Sequence, residues 1–599
     1  MWFISKQSFK PLSDLALAIH ILIASSLTSS LASAHPPPSP FCKAVPNTPS
    51  WPPPSSWARL NASTGGRLLR PPPPGAVCHP DQSTYNTTAC PSVQAAWSTY
   101  DFHQRDPVSS MWNQYNNDTC LPLPGYPCSG VGYPVFVVNA TIPQHVKLAV
   151  QFARDHSVRL VVKSTGHDYI GRSVAPNSLS IWTHHLGGIT THPAFTPKCC
   201  NTPQHSPTPA VTVGAGVQMI DLYTALDSLN LTTVGGGGST VSVGGYLTGG
   251  GHSLLSARRG LGADQVLEMQ LVTPTGRLVT ANECQNRDLF WAARGGGGST
   301  FGVLTSVTVR TYPTPPITNL LLTLASFDVA SPRVWDMVAY VLSRFPALGD
   351  EGLSGYSYLF NTIPNPLGAG PSTVSGMIAD VVLQDTVSPQ VMTGLWDPVL
   401  AHISATWPEI IIDANITVFP CFLSWFREHH DTTPTGNDTF VGSRLLDETA
   451  LTGNLTASAA AFRQLSSGGV ATAYLVSGKG VRDARPRDGG NAVLPAWRRA
   501  YVHSTVGVDF QPLNATARLE AVAKLDYLVE PLRRLAPDMG AYMNEASPYE
   551  PGWQNQFWGS NYERLVQIKR AVDPDDVLWC NPCVGNERWR EVGNQLCRV

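Results

Sequence analysis

The 599-residue chain is poor in charge: Asp, Glu, Lys and Arg make up 14% of it, against roughly 25% in an average soluble domain. The two signs nearly cancel, 40 basic residues against 42 acidic ones. No basic field exists to attract a phosphate backbone and no acidic tail follows, which argues against nucleic acid as a partner. Also missing is a Gly-x-Gly-x-x-Gly turn after a strand, so a Rossmann dinucleotide site is unsupported, and no Gly-x-x-x-x-Gly-Lys-Ser/Thr loop occurs. Neither a Gly-x-Ser-x-Gly elbow nor a His-Glu-x-x-His helix is present, which disfavours serine hydrolases and zinc proteases. After the first residues no apolar run is long enough to cross a bilayer. What remains is ordinary in one respect, since 43% hydrophobic residues rule out disorder of the whole chain.

The N-terminus reads as an export signal. Lys6 and Lys10 precede an apolar run over 15–31, and Ala32-Ser33-Ala34 offers small residues for cleavage. The alternative is a membrane anchor, but Ser and Thr dilute the run. Twelve cysteines, an even set concentrated toward both ends, suit disulfides in an oxidising compartment. Their pairing is not readable, although Cys580-Asn-Pro-Cys583 lacks the second ligand pair that zinc requires and is expected to form a structural disulfide. Cys199-Cys200 suggests a disulfide-bearing loop. Glycosylation sequons at Asn61, Asn86, Asn117, Asn139, Asn230, Asn415, Asn437, Asn454 and Asn514 would supply hydration that the low charge does not. The expected product is a secreted glycoprotein, monomeric and free of the membrane after cleavage.

Glycine and proline number 51 each and segregate. Proline crowds 35–128, a stretch with Trp and Cys but little periodicity, expected to wrap the main body as a stapled extension without chemistry of its own. A β-α-β unit follows, with strands over 135–138 and 159–163 around a helix over 142–156. Strands at 179–182 and 210–216 and a helix at 217–229 continue an α/β pattern. Glycine crowds 214–302, where Gly235 to Gly238, Gly249 to Gly251 and Gly295 to Gly298 alternate with hydrophobic strands at 266–273, 278–280 and 303–311. A flexible linker would not alternate this way. Glycines that let backbone N–H groups approach closely fit a cradle for a long phosphate-bearing ligand. From about 316 the composition reverts to helices (332–345, 516–535) and strands (356–361, 375–383, 470–476) of a second domain.

Several motifs taken together are highly specific. Lys163-Ser-Thr-Gly-His167-Asp-Tyr-Ile-Gly171-Arg-Ser173, Val213-Gly-Ala-Gly216, Val243-Gly-Gly-Tyr-Leu-Thr-Gly-Gly-Gly251-His252, Gly260-Leu-Gly-Ala-Asp264 and Arg294-Gly-Gly-Gly-Gly-Ser-Thr-Phe-Gly302-Val303 resemble the FAD domain of the vanillyl-alcohol oxidase / p-cresol methylhydroxylase superfamily. Glu550-Pro-Gly-Trp-Gln554, Asn561-Tyr562 and Asp573-Pro574 are similar to the C-terminal part of its berberine-bridge-enzyme-like branch, in the form of secreted fungal FAD-linked oxidases. The resemblance implies an α+β fold: a two-part FAD-binding domain over 129–315, a second α/β substrate domain with a helix-covered sheet over 316–541, and a segment over 542–599 that docks back. It implies that Ser164, Thr165, Gly166, His167, Asp168 and Tyr169 hold the FAD pyrophosphate, with Lys163 at the base of the loop. Further FAD contacts are implied at Ser173, Val241, Gly244, Gly245, Gly249, Gly251, His252, Val266, Gly302, Val303 and Asn561. His167 falls where relatives attach the flavin 8α carbon covalently, while Gly238 stands where many carry a second, cysteinyl link, so none is expected here. Tyr246 stands where many relatives have His, and Thr165 and Asp168 replace smaller residues. No metal site is expected.

The implied activity is oxidation of a hydroxyl, or an equivalent C–H, of a small organic molecule such as a fungal specialised metabolite, by hydride transfer to FAD with O2 as acceptor. The competing readings are a carbohydrate oxidase, for which Trp396, Trp407, Trp425 and Trp497 could line an open groove although burial in the core is the better reading for most of them, and a catalytically silent flavin-binding glycoprotein. A base should come from the second domain or the returning tail. Tyr542 resembles a tyrosine near the flavin of related oxidases, with its phenol acidified by Arg498 or Lys479, and His503 is the next candidate. No counterpart of the carboxylate base of plant relatives is identified.

Overall fold

The computed structural model describes residues 41–200, 207–368 and 370–599. The export-signal reading of 1–34 lies outside them.

The first sheet has the order Leu68–Leu69, Phe136–Asn139, Ser178–Trp182, Arg159–Lys163, with the last three strands parallel. Every residue of Ser178–Trp182 is buried, as a central parallel strand covered on both faces requires. The helix Pro143–Asp155 crosses between two of these strands. Proline opens it where its missing N–H costs no hydrogen bond, and Val146, Ala149, Val150 and Ala153 form its buried stripe. A second, antiparallel sheet has the order Ile189–Phe195, Thr208–Gly214, Val303–Arg310, Val266–Val272, Leu278–Asn282. Glycine-rich loops connect its strands and face the first sheet's Ser164–Tyr169 loop.

The second domain is an eight-stranded antiparallel sheet. Beyond the strands legible in the sequence it contains Ile317–Ser326, Ile411–Phe419, Thr439–Asp447 and Ala500–Asp509. The expected strand over 470–476 is two short pieces, Ala471–Thr472 and Tyr474–Leu475, both of which pair with Ala500–Asp509. Helices Arg333–Asp350 and Ala515–Leu535 pack on the sheet. The second starts at Asn514, whose side chain accepts from the Ala517 N–H at 3.0 Å, and buries Leu525, Leu528, Val529 and Leu532.

Both ends of the described residues return to the first sheet. Leu578 bridges Leu160, Ala44 bridges Val158, and a Cys42–Cys597 disulfide ties the two ends together. Lys569, buried, donates to the carbonyls of Thr300 and Leu578 and to Asp573, which fastens the helix Tyr562–Val572 onto the last glycine loop. Four other disulfides join Cys78 to Cys90, Cys120 to Cys128, Cys200 to Cys284 and Cys580 to Cys583, leaving Cys199 and Cys421 free. The 35–128 extension has short helices, Pro54–Ser63, Ala89–Ala96 and Tyr100–Arg105, that the sequence pattern did not reveal. Among the described residues no helix is long and apolar enough to cross a membrane.

Candidate functional site

A cavity of about 640 Å³ lies where the glycine loops meet the second domain's sheet. Its floor is Ser164 to Tyr169, Gly236 to Gly238, Gly244, Gly245, Gly298 and Gly302. Tyr356, Tyr358, Val441, Tyr474 and Thr505 of the eight-stranded sheet face it, and Tyr542, Asn544 and Glu545 of the returning segment close one side.

The cradle fits a long ligand with anionic groups. At Gly245 a Cβ would meet no protein atom within 4 Å and would take up cavity space. Gly166 is left-handed (φ +89°), which keeps the turn tight beneath Ser164 and His167. Ser164 Oγ and Arg172 Nη1 are buried on the cavity wall without a hydrogen-bond partner, two donors positioned for acceptors that the protein does not supply. Arg172 is oriented by Asp168, to which it is paired, and by Asn544 Oδ1 at 2.9 Å.

His167 projects from the loop with Nε2 2.7 Å from Thr240 Oγ1. The Tyr100 ring lies 4.7 Å from it, and Tyr100 donates to Asp431 Oδ2 at 3.0 Å. Burial pulls the imidazole down to about pKa 4, partly opposed by the negative charge of Asp431. It is neutral near pH 7.

A cluster on the cavity wall joins two of the sequence candidates, His252 and His503, to Glu545, which was not among them. Glu545 Oε1 is 3.0 Å from His252 Nε2, and its Oε2 is 3.4 Å from His503 Nδ1. Burial raises this carboxyl's pKa, but His252 and then His503 outweigh it and hold the group below its ordinary value. His503 is itself completely buried, pulled down to about 4, and neutral. The signal for Glu545 was its place three residues after Tyr542; only the tertiary contacts show the histidines converging on it.

Most residues expected at the cofactor line the cavity: Ser164, Thr165, Gly166, His167, Asp168, Tyr169, Ser173, Val241, Gly244, Gly245, His252, Gly302 and Val303. The others do not. Lys163 turns away, its buried ammonium donating to the carbonyls of His103 (3.2 Å) and Asp106 (2.6 Å) in the N-terminal extension. Gly249 packs against Asn544, and Gly251 lies under the Tyr246 ring and donates its N–H to Tyr542 Oη at 3.1 Å. Val266 is core at the start of its strand, and Asn561 donates to the Val493 carbonyl at 2.9 Å.

The catalytic candidates divide similarly. Arg498 points away from the cavity into a bidentate pair with buried Asp264, each contact 2.7 Å. It therefore cannot acidify Tyr542, and neither can exposed Lys479, which lies outside the cavity lining. Tyr542 does line the cavity, but burial and then Glu545 push its phenol well above the ordinary tyrosine range, and its oxygen already accepts from Gly251 N–H and Asn544 Nδ2. His503 sits behind Glu545. Trp396, Trp407, Trp425 and Trp497 are buried in the core, the better of the two readings open to them, so they line no groove.

A glycine-walled cradle set against a tyrosine-bearing sheet defines a site for an elongated ligand with anionic groups. The comparisons agree. Residues 134–282 match the model of an FAD binding domain, and 541–585 that of berberine and berberine-like proteins. The chain is 35% identical over 596 residues to an FAD-linked oxidoreductase of Arthroderma benhamiae, covering 96% of this chain and 99% of the relative. It is 34% identical to the FAD-linked oxidoreductase patO of Aspergillus clavatus, covering 94% and 95%. Among solved structures, the VAO-type flavoprotein MtVAO713 from Myceliophthora thermophila C1 superposes with a TM-score of 0.86 at 28% identity, over 94% of this chain and 100% of that one. The chain belongs to the fungal FAD-linked oxidoreductases of the VAO type, with a berberine-like C-terminal segment.

Proposed function

We propose that the protein is a secreted oxidase that carries FAD attached through His167 and oxidises a hydroxyl, or an equivalent C–H, of a small organic molecule, with O2 as acceptor. The observation that carries this reading is the placement of a neutral imidazole on the glycine cradle, opposite an ionised carboxylate on the far wall. FAD, when bound, supplies two-electron chemistry, taking a hydride equivalent and returning electrons to O2. The protein supplies the rest. Ser164, Gly166 and the orphaned Nη1 of Arg172 are placed to hold the anionic part of the cofactor. Glu545 accepts the proton of the substrate hydroxyl at its carboxylate, and His252 holds that carboxylate in place. Tyr356, Tyr358 and Tyr474 present rings and hydroxyls to the bound molecule. With no cysteine among the described cavity residues and Gly238 on the wall, the attachment has a single point.

Export and glycosylation are part of the same reading, supported by the five disulfides and by sequons that are exposed apart from the half-buried Asn61 and Asn139. The test is a peroxide-reading screen of the purified protein against alcohols, oligosaccharides and co-produced metabolites, beside acid precipitation. Flavin that precipitates with the protein and peroxide formed from an alcohol are the expected results. Flavin released quantitatively on denaturation refutes the covalent link. Absence of substrate-dependent bleaching of the flavin under anaerobic conditions across the screen refutes the oxidase reading.

A further inference from the structure

Three parts of the chain that lie far apart in sequence meet at His167. Thr240, from the glycine-rich stretch, holds Nε2 at 2.7 Å. Tyr100, from the N-terminal extension, lays its ring against the imidazole at 4.7 Å. Asp431 comes from the loop that follows the helix Phe422–His429 of the second domain and lines the same cavity. This loop is not free to wander. Asp431 N–H donates to the Gly237 carbonyl at 3.2 Å, its Oδ1 accepts from Thr433 N–H at 2.9 Å, and its Oδ2 accepts from Tyr100 at 3.0 Å. Just beyond, Thr435 N–H donates to the Ser98 carbonyl and Gly436 N–H to that of Met111, so the loop is stitched to the extension on both sides of the Tyr100 contact. With both carboxylate oxygens engaged and its backbone anchored, Asp431 is held in one place on the cavity wall.

We propose that Thr240, Tyr100 and Asp431 are positioning residues for covalent attachment of the flavin to His167, Thr240 by setting the imidazole tautomer and Asp431, held by Tyr100, by stabilising the positive charge that attachment creates. The inference rests on the covalent reading above. In the tautomer that this proposal assigns, Nε2–H donates to Thr240 Oγ1, 2.7 Å away, and the lone pair resides on Nδ1, the remaining nucleophilic nitrogen. As Nδ1 forms a bond to the 8α carbon, one 8α C–H bond and the imidazole N–H are lost. Their two protons and two electrons pass to O2, giving one H2O2 per bond formed. Until the Nε2 proton departs the ring is a cation in a site whose burial opposes positive charge, and Asp431 is the anion beside it. On this proposal the extension, expected from the sequence to carry no chemistry, supplies Tyr100 to the site.

The test measures attachment, not turnover. Wild type and variants are produced without riboflavin supply, loaded with FAD, and sampled over time for total bound FAD and for the share that stays with acid-precipitated protein. Asp431→Asn and Thr240→Val are expected to slow attachment at least tenfold while total bound FAD stays within twofold of wild type. Asp431→Glu should restore part of the rate, and Tyr100→Phe, which keeps the ring but frees the carboxylate, should give an intermediate loss. Attachment at the wild-type rate in both Asp431→Asn and Thr240→Val overturns the inference. So does a loss of total FAD with an unchanged covalent share, which marks a purely structural role. Should Asp431→Asn fail to fold, Tyr100→Phe decides: an unchanged rate there refutes the part assigned to Asp431. Wild-type flavin that is entirely released by acid fails the underlying covalent reading instead, and is read directly from the first sample.

Discussion

Replacing Arg498 with Met separates a catalytic from a structural account of this residue. Arg498 Nη1 donates to Asp264 Oδ2 and Nη2 to Oδ1, each at 2.7 Å, and the Asp264 side chain is only 3% exposed. Removing the cation leaves a buried carboxylate with two neutral donors, Leu261 N–H at 2.9 Å and Asn491 Nδ2 at 2.7 Å. Breaking a fully buried pair costs about 3–5 kcal/mol. Arg498 is 26% exposed, so water partly screens the pair in the native state, and the expected loss is smaller, about 2–3 kcal/mol. Urea unfolding of the holoprotein followed by tryptophan emission checks this, with Trp497 adjacent to the pair as a local reporter. Asp264→Asn combined with Arg498→Met should recover part of the loss, because the unpaired charge is gone while an acceptor for Leu261 N–H remains. The FAD content of Arg498→Met should match wild type. An unchanged urea midpoint together with abolished flavin reduction by a substrate would refute the structural assignment and return Arg498 to the site.

With a substrate from the screen in hand, Glu545→Gln should lower the anaerobic rate of flavin reduction by about 10²–10⁴, the range for a general base. Tyr542→Phe should lower it by less than about tenfold, since its phenol is held protonated; equal losses in the two would contradict the assignment of Glu545. Stability should fall with acidification in a defined window. His103, His184 and His503 are each pulled by burial from 6.5 to about 4, so the unfolded chain binds more protons between these values. Their contribution is full above about pH 6.5 and is lost as the pH drops toward 4; a melting temperature constant from pH 7 to 4.5 would count against it. Glycosidase treatment of protein from its native source should increase its electrophoretic mobility, and no change would oppose the secretory reading.

How much was legible follows from the range of the interactions. The glycine runs, the Gly166-His167 loop and the returning segment were readable because their signal is local. A left-handed glycine or a turn that brings backbone N–H groups to a ligand is a property of a few consecutive residues. The β-α-β unit was readable for the same reason, through the periods of its strands and helix. The second domain's sheet was only partly readable. Ile317–Ser326 and Thr439–Asp447 are paired along both edges or capped by packing, and their strand state depends on partners more than on their own pattern. Lys163 lies between the cavity residues Val162 and Ser164 in sequence but turns the other way, because neighbouring positions on a strand point to opposite faces; Val266, Asn561 and Arg498 instead sit in stretches that stay outside the cavity lining and make their contacts elsewhere. By itself the sequence determined that a glycine-rich cradle forms around the Gly166-His167 loop. The tertiary structure decided what surrounds it: Glu545 between two histidines, and Tyr100, Thr240 and Asp431 at the imidazole. Those contacts join residues tens to hundreds of positions apart, and electrostatic neighbours at that separation leave no periodic trace in the chain.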